Sequence, residues 1–260
     1  MKDIQLDDVK CLCGSGQYSI SFDGGDFKLL KCRECKISRI YPKPSGMEAE
    51  KQPREPEDRT LWRKFAKDIM NEVTSFKTKG RLLDIGCGFG AVLDYAREVG
   101  FQVMGIELDD KVAEYGRRNY KLDIRSGNVM EYQFKEKFDV IITNHVIEHI
   151  ENPIGFLKKA GEVMKGDGIL LVGTPNVDGW MRSILGRRWY PYCPEEHFYL
   201  YNTETLSNVL EKAGFTVLRV RKANNHYGGL TGILFYLPLK LFKYTRRGGD
   251  NIIITARKKS

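Results

Sequence analysis

A short stretch of the chain combines an acidic side chain with three alternating glycines. Residues 82–85 form an apolar run interrupted only by Asp84, and glycine then occupies positions 86, 88 and 90. Glycine permits the backbone angles of a sharp turn and lets a ligand approach the main chain without meeting a Cβ atom. A helix expected at about 91–99 would point its free N–H groups at the same place. The pattern predicts a cofactor-binding turn at the end of a buried strand.

Two classes of cofactor are candidates for this turn. The spacing Gly86-x-Gly88-x-x-Ala91 satisfies a permissive dinucleotide pattern, in which Glu107 at the end of the next strand would bind the ribose of NAD. Asp84 favours the other class, because a carboxylate beside the turn repels pyrophosphate but suits a cofactor with a cationic amino-acid end. We therefore expect a cofactor of that second class.

Four of the six cysteines crowd the first 35 residues as two pairs, Cys11 with Cys13 and Cys32 with Cys35. Between the pairs lie two β-like stretches joined by a turn at 23–26. Four thiolates close a tetrahedral zinc site and hold together a module too small to bury a core of its own. The first pair is one residue closer than the usual Cys-x-x-Cys, and free thiols, a redox pair or an iron–sulfur cluster are the alternatives. We predict a structural zinc in a ribbon-like module.

Histidine is the natural general base near neutral pH, and the chain has four. His197 lies in the segment after the fifth predicted strand, among three tyrosines, and is our first candidate for the base. Its alternative role is to tie a loop to the sheet. His145 directly follows the fourth predicted strand and is the second candidate, as base, as substrate ligand or as a polar residue lining the cofactor pocket.

Composition limits the classes of protein that need to be considered. The chain has 260 residues, 42% of them hydrophobic, and a formal net charge of +8 with much of the excess near the C-terminus. We interpret that excess as a solvated basic end rather than a nucleic-acid or acidic-lipid surface. No stretch reaches the ~18–20 apolar residues of a membrane helix, and the N-terminus lacks a signal-peptide core, so we expect a cytoplasmic protein. The apolar segment 228–242 is either a buried lid or a contact for a membrane surface.

The elements that must position these residues alternate along the chain. Strands are expected at 101–106, 121–125, 138–143, 169–172, 215–220 and 251–255, with helices at 109–119, at 152–164 and from Thr203 onward. Such alternation predicts an α/β fold whose parallel sheet carries helices on both faces and binds its ligand at the carboxyl ends of the strands.

The same pattern divides the chain into parts. We expect a zinc-ribbon-like module at 1–43 and a proline-rich linker at 44–59. The catalytic domain would span 60–260 and begin with an amphipathic helix. Within that domain, 177–201 and 222–249 are predicted to form a lid or insert that contacts the substrate.

Several motifs occur in an order that resembles the class I S-adenosylmethionine-dependent methyltransferases. They are the runs 83–90 (Leu-Asp-Ile-Gly-Cys-Gly-Phe-Gly), 105–108 (Gly-Ile-Glu-Leu), 127–129 (Gly-Asn-Val), 138–141 (Phe-Asp-Val-Ile) and 146–149 (Val-Ile-Glu-His). The resemblance covers about three quarters of the chain, residues 60–256. It implies a Rossmann-like, seven-stranded mixed sheet whose last strand, 251–255, is antiparallel.

The resemblance also implies roles for individual residues. Asp84 and the backbone of residues 86–88 would contact the methionine portion of S-adenosylmethionine, and Glu107 would bind both ribose hydroxyls. Two apolar side chains would sandwich the adenine, whose amino group Asn128 would bind where this family usually has Asp. The complete predicted cofactor set is Asp84, Gly86, Cys87, Gly88, Glu107, Leu108, Asn128, Val129 and Asn144.

A second resemblance points to particular groups of methyltransferases. The cysteine ribbon, with Glu-His-Phe at 196–198 and Ala-Gly-Phe at 213–215, looks like methyltransferases of sugar and polysaccharide biosynthesis, some of which act on nucleotide-linked sugars. The chain also resembles the ubiquinone-type O-methyltransferases, in which a Glu-x-x-Glu-His arrangement can bind a divalent cation. Here His145 replaces the first Glu, which weakens a magnesium site, so we expect Glu148 and His149 to be structural.

We therefore predict a methyltransferase that acts on a small molecule, with O-methylation of a sugar or related metabolite as the favoured reaction. C-methylation of a nucleotide-linked ketosugar and methylation of nucleic acid are the alternatives. Against the nucleic-acid alternative, no Asn-Pro-Pro-Tyr-like motif follows the fourth strand, which continues as Thr-Asn-His-Val at 143–146. A module that binds the cofactor without catalysis is the least favoured interpretation.

Overall fold

A computed structural model of the protein describes residues 3–6, 9–42, 59–223 and 249–259. The apolar segment 228–242 and the predicted linker at 44–59, except for its last residue, lie outside the described residues. So does the predicted insert at 222–249, apart from positions 222, 223 and 249.

The N-terminal segment forms an antiparallel sheet of four short strands. They are β1 (Asp3–Gln5), β2 (Gln17–Asp23), β3 (Lys28–Cys32) and β4 (Ser38–Tyr41). The hairpin of β2 and β3 lies between the two cysteine pairs, as the sequence predicted. Because β3 ends on Cys32, the hairpin brings the second cysteine pair back to the first.

The remaining chain alternates helices and strands. In order they are α1 (Arg59–Thr74), β5 (Gly80–Ile85), α2 (Ala91–Glu98), β6 (Phe101–Glu107), α3 (Asp110–Tyr120), β7 (Ile124–Ser126), β8 (Phe138–Asn144), α4 (Pro153–Val163), β9 (Met164–Pro175), α5 (Trp180–Leu185), β10 (Tyr199–Leu200), α6 (Thr203–Lys212), β11 (Phe215–Ala223) and β12 (Asn251–Lys258). Short 3₁₀ turns cover Ile147–His149 and Gly186–Arg188. Asp109 caps α3 as predicted, whereas Asn202 rather than Thr203 caps α6 because its side chain accepts from the N–H of Thr205.

The larger sheet has seven strands in the order β11-β12-β9-β8-β5-β6-β7. The pairs of β5 with β6 and β8, of β6 with β7, and of β8 with β9 are parallel, and β12 is antiparallel to both of its neighbours. This is the predicted Rossmann-like mixed sheet with an antiparallel last strand, and the fold class is confirmed. Because β5, β6, β8 and β9 are parallel, their carboxyl ends meet at one edge, where the glycine turn lies.

Alternate residues of the central strands pack into different layers. Leu82 of β5 and Ile142 of β8 belong to the layer beneath α1, α2 and α3, whereas Leu83 and Ile141 belong to the layer beneath α4 and α6. Successive side chains of a strand point to opposite faces, so a strand buried on both sides reads as a continuous apolar run. This explains why the apolar runs predicted the strands and why helices cover both faces.

The N-terminal sheet does not stand alone. Strand β10, from the predicted insert at 177–201, pairs with β4, and the N–H of Ile40 donates to the carbonyl of Phe198 at 3.1 Å. A shared apolar cluster, which includes Leu29 and the buried Trp189, joins the two segments. The cysteine module and the insert therefore form one structural unit.

Among the described residues, none of the helices is both long and apolar enough to cross a membrane.

Candidate functional site

The glycine turn links β5 to α2 as the sequence predicted. Gly86 has φ of 72°, a left-handed angle that an L side chain rarely adopts, and a Cβ there would clash with the side chain of Val146. Gly88 has φ of 54°, and no heavy atom lies within 4 Å of the position its Cβ would take. The turn is therefore closed on the side of Val146 and open beside Gly88. Cys87 contributes its backbone to the turn, while its thiol packs over Gly105 of β6.

Asp84 lies beneath this turn, in the strand itself. Its side chain is buried, and burial followed by the nearby charge of Glu107 raises its pKa well above the usual value. No described group donates a hydrogen bond to its carboxylate. A buried carboxylate without a donor is costly, and a cationic ligand group would remove that cost. The site thus fits a cofactor with an ammonium or sulfonium group.

Glu107 holds the turn from the neighbouring strand. Its carboxylate accepts from the backbone N–H of Gly88 at 2.8 Å and from that of Asp109 at 3.1 Å. Each carboxylate oxygen has a further acceptor position, so both can still bind ribose hydroxyls. The sequence predicted the ribose contact but not the bond to Gly88, since nothing in the local pattern connects the turn after β5 with the end of β6.

The predicted adenine and strand-end residues lie along the same edge of the sheet. Val129 is buried, whereas the side chain of Leu108 is 45% exposed and available for a ligand. The Asn128 side-chain oxygen accepts from the N–H of Met130 at 3.0 Å, which orients the amide. Asn144, at the end of β8, packs its side chain against Gly173 of β9. A Cβ on residue 173 would clash with the Asn144 side chain.

His145 forms a hydrogen-bonded pair with Glu148. Its Nδ1 lies 3.2 Å from Glu148 Oε1, and Thr174 donates to Glu148 Oε2 at 2.9 Å. Burial opposes the charge of Glu148, but the hydrogen bond from His145 and the neighbouring histidines outweigh it and lower its pKa to about 2. The backbone of His145 has φ of 56°, and its N–H donates to Gly173 at 2.9 Å. The ring is thus held with Nδ1 engaged by a carboxylate.

His197 lies in a different environment. It is buried, its Nδ1 lies 2.8 Å from the carbonyl oxygen of Pro191, and its ring meets that of His149 edge-on at 4.5 Å between centroids. Burial lowers the pKa of His149 to about 4. Glu148, His149 and His197 each offer one atom that could bind a metal ion, and these three atoms lie within 4.8 Å of one another. That set has two nitrogens and one oxygen, which suits a borderline cation better than magnesium.

The four N-terminal cysteines converge at the base of the small sheet. Cys11 Sγ lies 3.3 Å from Cys35 Sγ, and Cys13 Sγ lies 3.6 Å from Cys32 Sγ, with all four sulfurs within 4.8 Å of one another. Four sulfurs at about 2.3 Å from a tetrahedral zinc would be separated by roughly 3.8 Å. The hydrogen bond from Cys11 lowers the pKa of Cys35 to about 5, and the same bond together with burial raises the pKa of Cys11, so Cys35 is the first of this pair to become a thiolate. The donor set fits zinc.

Comparison with a protein-family model places most of this site in a known family. Residues 57–220, more than half of the 260, match the family model described as "Methyltransferase domain". The match begins just before α1 and ends within β11. It therefore includes the glycine turn, Glu107, the His145 and Glu148 pair and the buried His197.

Two curated relatives are similar over about half of the chain. A Mycolicibacterium smegmatis protein named "Probable S-adenosylmethionine-dependent methyltransferase" is 30% identical over 153 residues, which is 58% of this chain and 58% of that protein. A ubiquinone biosynthesis O-methyltransferase of Rhodopseudomonas palustris is 29% identical over 148 residues, 53% of this chain and 58% of that protein. The match thus spans less than two thirds of either relative.

Solved structures share the fold. A methyltransferase from Archaeoglobus fulgidus aligns with a TM-score of 0.58 at 21% identity, over 77% of this chain and 95% of that one. Magnesium protoporphyrin IX methyltransferase from Synechocystis, solved with bound S-adenosylhomocysteine, aligns with a TM-score of 0.57 at 13% identity, over 76% of this chain and 84% of that one. At these identities the likeness establishes the fold alone.

Proposed function

The chain belongs to the methyltransferase domain family, and from that premise we propose that it transfers the methyl group of S-adenosylmethionine to a small-molecule acceptor. The observation that carries the proposal is the buried, donor-free carboxylate of Asp84 beneath an open glycine turn. A dinucleotide would bring pyrophosphate to this turn and repel that carboxylate, whereas the cationic end of S-adenosylmethionine would pair with it.

The acceptor atom we propose is a hydroxyl oxygen of a sugar or related metabolite. Similarity to a relative named as an O-methyltransferase supports oxygen as the acceptor. When bound, the cofactor supplies an electrophilic methyl group on a sulfonium. The protein then has to hold the hydroxyl in line with that methyl group and accept its proton.

Of the two predicted bases, the geometry favours His145. With Nδ1 engaged by Glu148, the other ring nitrogen is the one that can accept a proton, and the histidine directly follows β8 at the cofactor edge. The Glu148 carboxylate would stabilise the imidazolium that forms, and Thr174 would hold that carboxylate in place. His197 is buried against His149 and bonded to Pro191, an arrangement suited to tying the insert to the sheet.

For the four N-terminal cysteines we propose a structural zinc. Four thiolates fill a tetrahedral coordination shell and leave no position for a substrate. The metal would therefore hold together the unit formed by the small sheet and the insert, rather than take part in methyl transfer.

Titration calorimetry with S-adenosylhomocysteine tests the proposed function. We expect one binding site per chain with a dissociation constant in the micromolar range or below. Incubation with labelled S-adenosylmethionine and a panel of sugars, sugar phosphates and nucleotide-linked sugars would then identify the acceptor. If the intact protein does not bind S-adenosylhomocysteine, the enzymatic proposal is wrong.

Replacing Asp84 with Asn should separate cofactor binding from stability. Because burial raises the pKa of this carboxyl in the folded chain, the empty protein loses stability as the pH rises from the unfolded value of about 4 through that raised pKa. Asp84→Asn should remove this loss and raise the thermal midpoint at pH 8. It should also weaken S-adenosylhomocysteine binding by about 10- to 100-fold, because a charge-assisted hydrogen bond is lost. Thermal scans at pH 5 and 8 measure the midpoint, and calorimetry at the same pH values measures the affinity for S-adenosylhomocysteine. Unchanged affinity would contradict the proposed contact between Asp84 and the cofactor.

A further inference from the structure

A cavity of about 620 Å³ opens between the N-terminal sheet and the 177–201 insert. It is lined by Phe22 of the β2–β3 hairpin and, from the insert, by residues 177–179, 182 and 183. Residue 177 lies two positions beyond the end of β9, and Gly173 of β9 pairs with Asn144 of β8 in the parallel part of the sheet. The cavity therefore opens at the same edge of the sheet as the cofactor turn.

Arg182 is the central cation of this cavity. Its Nε donates to the Tyr192 hydroxyl at 2.6 Å, and its Nη1 donates to the carbonyl of Val177 at 3.1 Å. Both acceptors are neutral, and among the described residues no carboxylate lies within ion-pair distance of its guanidinium. A guanidinium has five N–H donors in a fixed fork, so several remain for a ligand. Arg182 is a half-buried, oriented positive charge with no counter-ion in the part of the chain that the structure describes.

Two further charged groups line the cavity. Lys222, the penultimate residue of strand β11, adds a second cation that no described carboxylate pairs with. Asp178 adds a carboxylate, of which Oδ2 accepts from Asn202 at 2.9 Å. Its other oxygen can accept from a ligand hydroxyl. The polar groups thus suit a ligand that has an anionic part and at least one hydroxyl.

The aromatic side chains give the cavity one apolar wall. Phe22 and Tyr192 stack with centroids 4.6 Å apart and an interplanar angle of 16°, and Trp189 meets Tyr192 edge-on at 5.0 Å. Trp189 and Tyr192 are buried in the cluster that joins the hairpin to the insert. Such a wall is rigid and offers a flat surface to a ring.

From these observations we propose that this cavity binds the methyl acceptor and that the acceptor is a hydroxylated ring compound with a phosphate or carboxylate group, which Arg182 and Lys222 hold. The identification of the ligand as the acceptor rests on the proposed function. The small cysteine-bearing sheet then contributes to the acceptor site through Phe22.

Calorimetry on the zinc-loaded full chain, saturated with S-adenosylhomocysteine, tests the site with three probes. Glucose 1-phosphate carries a phosphate, glucuronate a carboxylate, and glucose neither. At least one of the two anions should bind ten or more times more tightly than glucose, and the preferred anion identifies the group. The proposal is overturned if neither anion exceeds glucose by that factor.

Variants locate the binding. Arg182→Gln should weaken binding of the preferred anion at least tenfold, and Lys222→Gln, at an exposed position, several-fold. Arg118→Gln is the matched control, because Arg118 lies on α3 beside β7, at the opposite end of the sheet. Unchanged S-adenosylhomocysteine binding shows that each variant is folded; if Arg182→Gln fails this check, Lys222→Gln decides. Anion binding as tight in the decisive variant as in the control refutes the site. If the wild type binds S-adenosylhomocysteine but neither anion, only the proposed acceptor site is wrong and the proposed function stands. If the wild type does not bind S-adenosylhomocysteine, the proposed function itself is contradicted.

Discussion

Replacing His145 with Asn should lower the turnover number by about 10²- to 10⁴-fold while S-adenosylhomocysteine binds as in the wild type. His145 is the histidine whose Nδ1 is already engaged by a buried carboxylate, so removing the ring removes the proposed proton acceptor. Its neighbour Asn144, the glycine turn and Asp84 stay in place. The measurement is single-turnover methyl transfer to the acceptor found in the labelled-cofactor screen, beside calorimetry with S-adenosylhomocysteine.

His197→Asn is the matched variant. Asparagine can still donate a hydrogen bond to the Pro191 carbonyl, so we expect turnover within tenfold of the wild type and a lower thermal midpoint. The reverse result, with His145→Asn active and His197→Asn inactive but still able to bind S-adenosylhomocysteine, would assign the base to His197.

Glu148 should behave as a positioning residue. Glu148→Gln keeps an oxygen that can accept from His145 Nδ1, whereas Glu148→Ala removes it. We expect turnover to fall in the order wild type, Glu148→Gln, Glu148→Ala, with KM for the acceptor and affinity for S-adenosylhomocysteine nearly unchanged. A purely structural role would lower thermal stability without this graded effect on turnover.

Replacing Cys32 with Ser should cost the protein its zinc and most of its turnover. Structural zinc sites of this kind contribute apparent binding free energies of about 10–16 kcal/mol, and a module this small depends on them to fold. Loss of zinc should also disturb the proposed base. The N–H of Ile40 in the small sheet donates to the carbonyl of Phe198, and the N–H of Phe198 donates to the carbonyl of Glu148 at 2.8 Å, so unfolding of the small sheet would shift the partner of His145. Binding of S-adenosylhomocysteine should persist, since these bonds do not include the glycine turn.

Metal analysis of protein purified under reducing conditions gives the first readout, with one zinc per chain expected in the wild type and none in Cys32→Ser. Cys193→Ser is the control, because Cys193 lies outside the four-cysteine cluster, and it should retain both zinc and activity. Wild-type protein without zinc would remove the metal from the proposal. A zinc-free variant with full turnover would break the proposed link between the ribbon and Glu148.

Local patterns in the sequence were sufficient to predict the sheet and the glycine turn. The strand residues around Asp84 are apolar because β5 is buried on both faces, and the glycines that follow are needed where the backbone turns through left-handed angles. Both constraints act over a few adjacent residues, so they leave a readable signature. The two cysteine pairs are a similar case, since the members of each pair lie within three positions of each other and a hairpin joins the pairs.

Contacts between residues far apart in the sequence set how these parts meet. The partner of His145 could have been suggested by its spacing of three from Glu148, but the bond from Thr174 to Glu148 depends on the pairing of β8 with β9. The pairing of β10 with β4 and the cavity at Arg182 likewise join segments more than 150 residues apart. Local sequence patterns were thus enough to predict the fold class, the glycine turn and the cysteine cluster. The packing of the insert against the N-terminal sheet buries His197 and forms the cavity at Arg182, and no local pattern encodes it because it joins residues far apart in the sequence.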